Sequence, residues 1–342
     1  MSKAVKQTAP PVAPPEPELP AEPQHPVTPY LRMDRIPHIW CPTCGIGTVV
    51  RCFVDALVQS KVDLDKTAIC SGIGCTGRVA GYLKLDAFHS THGRPIPFAT
   101  GLKMARPELL VTVFSGDGDL VGIGGNHFIH AARRNMDILV VLVNNFIYGM
   151  TGGQNAPTTP LTAKSSTMPF GNYERPFNLP HLAESCGATY VARWTSLHVR
   201  RLTKSFREGI KRKGFRFIEV VAPCSTLYAR LNKLGDGFNL MQFYHDTAVV
   251  MNGADTREAA IDFQQRIICG KFVDEERPTF IDMMHEHYEK VLGDRYVPTP
   301  PEGGMIQGLE DEPSRATEQP KKASKRKPSK GAAVKGGDDG AK

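Results

Sequence analysis

Residues 111–154 read VTVFSGDGDLVGIGGNHFIHAARRNMDILVVLVNNFIYGMTGGQ, and this stretch decides the fold. An apolar, β-branched run from Leu109 to Phe114 ends in Ser115-Gly116-Asp117-Gly118-Asp119. A helical pattern follows over about Gly122 to Asn135, and a second apolar run, Ile138 to Val143, stops at Asn144-Asn145. Strand, helix and strand joined by short turns make a βαβ unit of a parallel sheet. The lengths agree, since fourteen helical residues span roughly 21 Å and six strand residues roughly 20 Å. Asp117 and Asn145 are therefore expected at the carboxyl ends of neighbouring strands, where open α/β sheets bind ligands.

Gly116 and Gly118 permit a tight turn and close backbone approach. The helix behind them offers free N–H groups to a phosphate. A carboxylate and an amide oxygen suit Mg²⁺, which prefers oxygen ligands shared with substrate phosphates. A metal-bridged diphosphate fits all of this. A dinucleotide fold would need G-x-G-x-x-G in the turn and an acidic residue closing the second strand. That strand closes on Asn144-Asn145 instead.

GDG, then 25 residues, then NN resembles the thiamine diphosphate motif of thiamine-dependent enzymes. The resemblance implies that Asp117, Asn145 and the backbone carbonyl of Ile147 bind Mg²⁺. It also implies that Gly116, Gly118, Asp119 and Gly74 contact the cofactor.

Working outward, the chain of 342 residues divides into three parts. Residues 1–29 hold nine prolines and read as an extended, disordered arm. Residues 30–298 are ample for one large α/β domain with a mostly parallel sheet and helices on both faces. Residues 299–342 lack periodicity and read as a disordered basic tail. Nine Lys/Arg against three acids in residues 314–342 account for most of the net charge of +7. A nucleic-acid partner is not expected, because the basic tail has no aromatic interleaving. The longest core run is far too short to cross a membrane. The N-terminus lacks the basic-then-apolar pattern of a signal peptide. A cytoplasmic protein is expected, with its eight cysteines as thiols or metal ligands rather than disulfides.

Four cysteines stand in Gly/Pro-rich loops. Trp40-Cys41-Pro42-Thr43-Cys44-Gly45 carries a C-x-x-C, and Gly72-Ile73-Gly74-Cys75-Thr76-Gly77 follows a short strand ending near Cys70. Ala222-Pro223-Cys224-Ser225 follows another strand, Arg216 to Val221. Such thiolates suit structural zinc or an iron–sulfur cluster. No second C-x-x-C is present to complete a zinc ribbon, which favours the cluster. Cys52, Cys186 and Cys269 read as small buried residues, each in or ending a helix. Cys70 competes for the fourth ligand position, but alternation along Ala68-Ile69-Cys70 buries it in a strand.

WCPTCGIG, SGIGCTGR, THGRPIPFATGLKMARPEL, the GDGD stretch, YGMTGGQ and TPLTAKSSTMPFGNYERPF together resemble the β subunit of 2-oxoacid:ferredoxin oxidoreductases, and most of all the 2-oxoglutarate branch. The similarity covers roughly residues 30–290. It implies that Cys41, Cys44, Cys75 and Cys224 bind a [4Fe–4S] cluster, although Ser-Thr-Leu-Tyr follows Cys224 where Pro-Thr is common. It also implies oxidative decarboxylation of a 2-oxoacid with CoA, with electrons passing through the cluster to ferredoxin. The resemblance further implies that the site needs a second domain, which presents a glutamate to the cofactor. No second βαβ-rich stretch follows here, so an α subunit is expected to complete the site.

His92 and Arg94, in His-Gly-Arg ahead of Pro95, are the candidate catalytic residues in this chain. Surface packing is the competing reading for both, and for Arg78 beside Cys75. His127 and His130 read as packing or intersubunit residues, and His285 and His287 as solvent-facing. Three rival assignments remain: a pyruvate-specific member, a non-redox thiamine decarboxylase half and a non-catalytic Fe–S or zinc scaffold.

Overall fold

The computed structural model describes residues 25–222 and 224–298. The Pro-rich arm over residues 1–24 and the basic tail over 299–342 lie outside the described residues. The end of the expected arm is described: Val27 is buried against the core, and a 3₁₀ turn follows at Thr28–Tyr30.

Ten strands occur in chain order among the described residues. They are β1 (Thr67–Ser71), β2 (Asp86–His89), β3 (Leu110–Gly116), β4 (Ile138–Asn144), β5 (Ile147–Tyr148), β6 (Gln154–Asn155), β7 (Tyr190–Thr195), β8 (Phe215–Val221), β9 (Ala248–Val250) and β10 (Ile267–Asp274). Helices α1 (Ile46–Ser60), α2 (Pro95–Ala105), α3 (Gly125–Arg133), α4 (Leu179–Ser185), α5 (Val199–Lys211), α6 (Tyr228–Leu231), α7 (Gly237–Thr247) and α8 (Phe280–Leu292) connect them. Eight strands form one sheet in the order β2-β1-β3-β4-β8-β7-β10-β9, and β5 pairs with β6 in a small ribbon. Every pairing in the large sheet is parallel except β7 with β10.

The centre of the sheet follows from composition. Every residue of β4, ILVVLVN, is buried, as a parallel strand covered on both faces requires. On one face Phe53 of α1 and Phe206 of α5 meet edge to face at 5.6 Å between ring centroids, and Phe53 also meets Phe114 of β3 at 5.0 Å. On the other face Phe128 of α3 packs edge to face on Phe215 and Phe217 of β8 at 5.3 and 5.1 Å. The expected α/β layering is thus observed.

Two local readings are corrected. The helix expected over Gly122 to Asn135 starts earlier, as a π-helical turn at Gly118–Ile123 that passes into α3. Cys269 does not end a helix; it lies buried in β10, whose β-branched Ile267 and Ile268 pair with β9.

From β1 the chain crosses outward to β2, then back past β1 to β3, so the strand order switches beside β1. The crevice at such a switch point, outside the carboxyl ends of the strands, is where an α/β sheet receives a ligand.

Candidate active site

The turns that leave β1, β3 and β4 meet around an open cleft of about 490 Å³. Its walls include Gly74, Cys75, His92, the Gly116–Asp119 turn, Asn145, Ile147 and Tyr148. The π-helical turn is shaped by Tyr148. A Cβ on Gly118 would lie 2.2 Å from the Tyr148 ring, and one on Gly122 would lie 2.6 Å from its hydroxyl oxygen. That hydroxyl donates to the Gly118 carbonyl at 3.2 Å. A side chain at either position would push Tyr148 from its place.

Asp117 is buried at the floor, and the Thr158 hydroxyl donates to its carboxylate. Burial pushes its pKa up to about 6, against the opposing pull of Thr158 and of backbone N–H groups at Gly118 and Phe146. A carboxylate lifted in this way, with no cationic side chain beside it, fits a metal ion. Asn145 lines the same cleft, and its Oδ1 accepts the N–H of Ile147 at 3.3 Å. The donor set is all oxygen, as Mg²⁺ requires.

Asp119 also reaches the cleft, but its carboxylate is already engaged. It accepts the N–H groups of Ile73 at 3.1 Å and Gly93 at 2.8 Å, the Ser115 hydroxyl at 2.8 Å, and Nδ1 of His92. Instead of facing a diphosphate, Asp119 ties together the loops after β1, β2 and β3. A Cβ on Gly72 would lie 1.8 Å from Asp119 Oδ2, so the clasp closes only against a glycine. With Nδ1 held against this carboxylate, His92 has Nε2 on the other side of its ring. Its ring stands edge-on to Tyr148 at 6.2 Å. Arg94 separates from His92: it precedes α2, is exposed, and does not line the cleft. Arg78 is likewise exposed.

A second cavity, of about 460 Å³, is lined by Cys41, Cys44, Cys75 and Cys224 together with Trp40 and Met150. The Trp40 indole donates to the Cys75 carbonyl at 2.8 Å, and the Thr226 hydroxyl approaches Cys41 Sγ at 3.2 Å. Burial first, then the neighbouring Cys224, Cys44 and Cys41, push the Cys75 thiol up to about 11. Burial likewise raises Cys44, and Cys41 and Cys224 add to the effect. Cys70 differs: burial alone takes it to about 12, and it packs in the core layer on the other face of the sheet from Cys75.

Among the described residues, no group of three or more His, Cys, Asp or Glu side chains closes on a point that would hold a single metal ion. Tetrahedral zinc, with Zn–S bonds of about 2.3 Å, would need that closeness. Four thiols spread around one cavity fit a larger cationic group.

The two cavities share a wall, since Cys75, Asn145 and Met150 line both. Gly149 stands within it. A Cβ there would lie 3.5 Å from Cys224 Sγ, 3.6 Å from Asn145 Nδ2 and 3.9 Å from Cys75 Sγ. Thr158, Tyr148 and Gly149 were given no role from sequence; for Tyr148 and Gly149 the YGMTGGQ stretch, an aromatic beside glycines, was the available signal.

The profile of the thiamine pyrophosphate enzyme C-terminal TPP-binding domain matches residues 72–220, from the turn after β1 to within β8. The 2-oxoglutarate synthase subunit KorB of Methanocaldococcus jannaschii is 47% identical over 268 residues, covering 78% of this chain and 98% of its own length. This chain belongs to the β subunits of the 2-oxoacid:ferredoxin oxidoreductases. The KorB subunit of Methanothermobacter marburgensis is 44% identical to this β subunit over 270 residues, covering 79% of this chain and 94% of the relative. Among solved structures, the 2-oxoglutarate:ferredoxin oxidoreductase from Magnetococcus marinus, with 2-oxoglutarate, coenzyme A and succinyl-CoA bound, matches with a TM-score of 0.70 at 29% identity. That match covers 79% of this β subunit and 92% of the matched chain. The family expected from the motifs and the thiamine diphosphate-binding α/β fold are thereby shown, and the chain is an oxidoreductase subunit that works with a partner.

Proposed function

We propose that this β subunit holds thiamine diphosphate and Mg²⁺ in the cleft and a [4Fe–4S] cluster in the thiol cavity. With its α subunit it oxidatively decarboxylates 2-oxoglutarate, using CoA and passing electrons to ferredoxin. Residues 30–298 form the domain that does this, flanked by the arm and the tail. The observation that supports the proposal is the wall shared by the two cavities: an electron-accepting group in one would lie beside an electron-releasing group in the other.

Bound thiamine diphosphate supplies the electron sink for loss of CO₂. The chain's own residues do the rest. Asp117, Asn145 and the Ile147 carbonyl would hold Mg²⁺, and Gly116 and Gly118 admit the diphosphate to the backbone. His92, oriented by Asp119, offers Nε2 to the cleft as a hydrogen-bonding group. Cys41, Cys44, Cys75 and Cys224 would hold the cluster, with Trp40 fixing the Cys75 carbonyl behind it. At Gly149 the shared wall carries no side chain, which keeps the cavities close there.

The test is anaerobic purification of the αβ complex, with a CoA-dependent viologen-reduction assay and an iron determination. Reduction by 2-oxoglutarate well above that by pyruvate, with iron bound to the β chain, is expected. Turnover by the verified single β chain, a preference for pyruvate, or an iron-free active complex would each overturn the corresponding part of the proposal.

A further inference from the structure

Glu219 lies on β8 with no exposed surface, and its carboxylate serves two donors. Arg193, its direct neighbour on β7, donates from Nε to Oε2 at 2.7 Å. Asn144, the last residue of β4, donates from Nδ2 to Oε1 at 2.8 Å. Arg193 is itself buried, and its Nη1 reaches the carbonyls of Ala259 and Ile268 at 2.5 and 3.5 Å. A buried ion pair is a poor device for stability alone, because apolar residues of similar volume often do as well or better. Its consequence here is directional.

An ionised carboxylate only accepts, so the Asn144 amide nitrogen must face Glu219 and its oxygen must face the other way. That oxygen accepts the N–H of Phe146 at 3.2 Å. Phe146 has φ +66°, a left-handed conformation uncommon for any residue with a bulky side chain. Its carbonyl accepts the Thr159 hydroxyl at 2.5 Å. The turn is thus gripped on both sides at its least favourable residue. The residues flanking Phe146 are Asn145 and Ile147.

We infer that Glu219 and Asn144 are positioning residues for the metal-binding turn. Glu219 fixes the Asn144 amide, Asn144 fixes the left-handed Phe146, and that conformation aims the Asn145 side chain and the Ile147 carbonyl at the cleft. The inference rests on the proposed assignment of Asn145 and Ile147 to Mg²⁺. Neither Glu219 nor Asn144 lines the cleft. Both act through the turn.

The experiment uses the αβ complex and measures bound thiamine diphosphate by equilibrium dialysis as Mg²⁺ is titrated. Asn144→Ala and Glu219→Gln are expected to raise the Mg²⁺ concentration for half-saturation by about 10–100-fold, the usual cost of removing a group that orients a metal ligand. Excess Mg²⁺ restores binding, and iron content stays at the wild-type level. Asp137→Asn, which breaks a buried ion pair at the opposite end of the sheet, lowers the melting temperature without moving the Mg²⁺ midpoint. If Glu219→Gln fails to assemble, Asn144→Ala carries the test, because it leaves the Arg193–Glu219 pair intact. A wild-type midpoint in Asn144→Ala overturns the inference. If Asn145→Ala and Asp117→Ala also bind with a wild-type midpoint, the metal assignment itself is what fails.

Discussion

Each end of the sheet buries charge, and the contrast between them locates the chemistry. At the amino end Asp137 accepts from Lys103 and Arg216, both at 2.8 Å and both almost wholly buried. Lys103 also donates to the Leu109 carbonyl at 2.8 Å, and Arg216 to the carbonyls of Gly209 and Gly214 at 3.0 and 2.9 Å. The groove there, about 910 Å³, is larger than the cleft at the carboxyl end. Yet these charges close on one another and on backbone. At the carboxyl end Asp117 has a single side-chain partner, Thr158, and no cation. Size does not mark the site; a buried set of oxygens with no counter-charge does.

The sharpest way to break this contrast is to empty that set. Asp117→Ala should abolish retention of thiamine diphosphate by the αβ complex while iron content stays unchanged, measured as cofactor and iron per protein. Full cofactor occupancy would sink the reading. Next in size, alanine at Cys41, Cys44, Cys75 or Cys224 should strip most of the iron, whereas Cys52→Ala, Cys70→Ala, Cys186→Ala and Cys269→Ala should keep it. Loss of iron from Cys70→Ala with retention in Cys224→Ala would exchange the fourth ligand.

At the amino end, Asp137→Asn leaves two buried cations without a counterion and should cost about 3–5 kcal/mol of unfolding free energy. Urea denaturation would read it, and cofactor affinity should not move. Smallest of all, Tyr148→Phe removes only the hydrogen bond to the Gly118 carbonyl, worth about 0.5–1.5 kcal/mol. A larger loss would mean that the hydroxyl does more than brace the π-helical turn.

Much of this is legible in the sequence. The run ILVVLVN announces a central parallel strand because burial on both faces removes the polar alternation. The glycines and Asp117 place a turn at its neighbour's end. Alternation along Ala68-Ile69-Cys70 separates Cys70 from the loop cysteines, and the structure puts it in the other layer of the core. What escaped depends on contacts distant in sequence. Asp119 looks like a second cofactor ligand until the N–H groups of Ile73 and Gly93, 46 and 26 residues away, are seen to occupy it. The π-helical turn needs Tyr148, 30 residues beyond Gly118. Cys269 sits in a β-branched run that alone does not choose between strand and helix end, and pairing with β9 settles it as strand.

Gly149 has a consequence for tuning. A partition that lacks a side chain at Gly149 and is otherwise shared by Cys75, Asn145 and Met150 is thin and screens little. Two unit charges roughly 7 Å apart at an effective dielectric of about 20 still interact by on the order of 2 kcal/mol. Charge arriving in one chamber would therefore shift the redox midpoint of the cluster proposed for the other. The two chambers cannot be adjusted independently, and a substitution chosen to improve one will be felt in both.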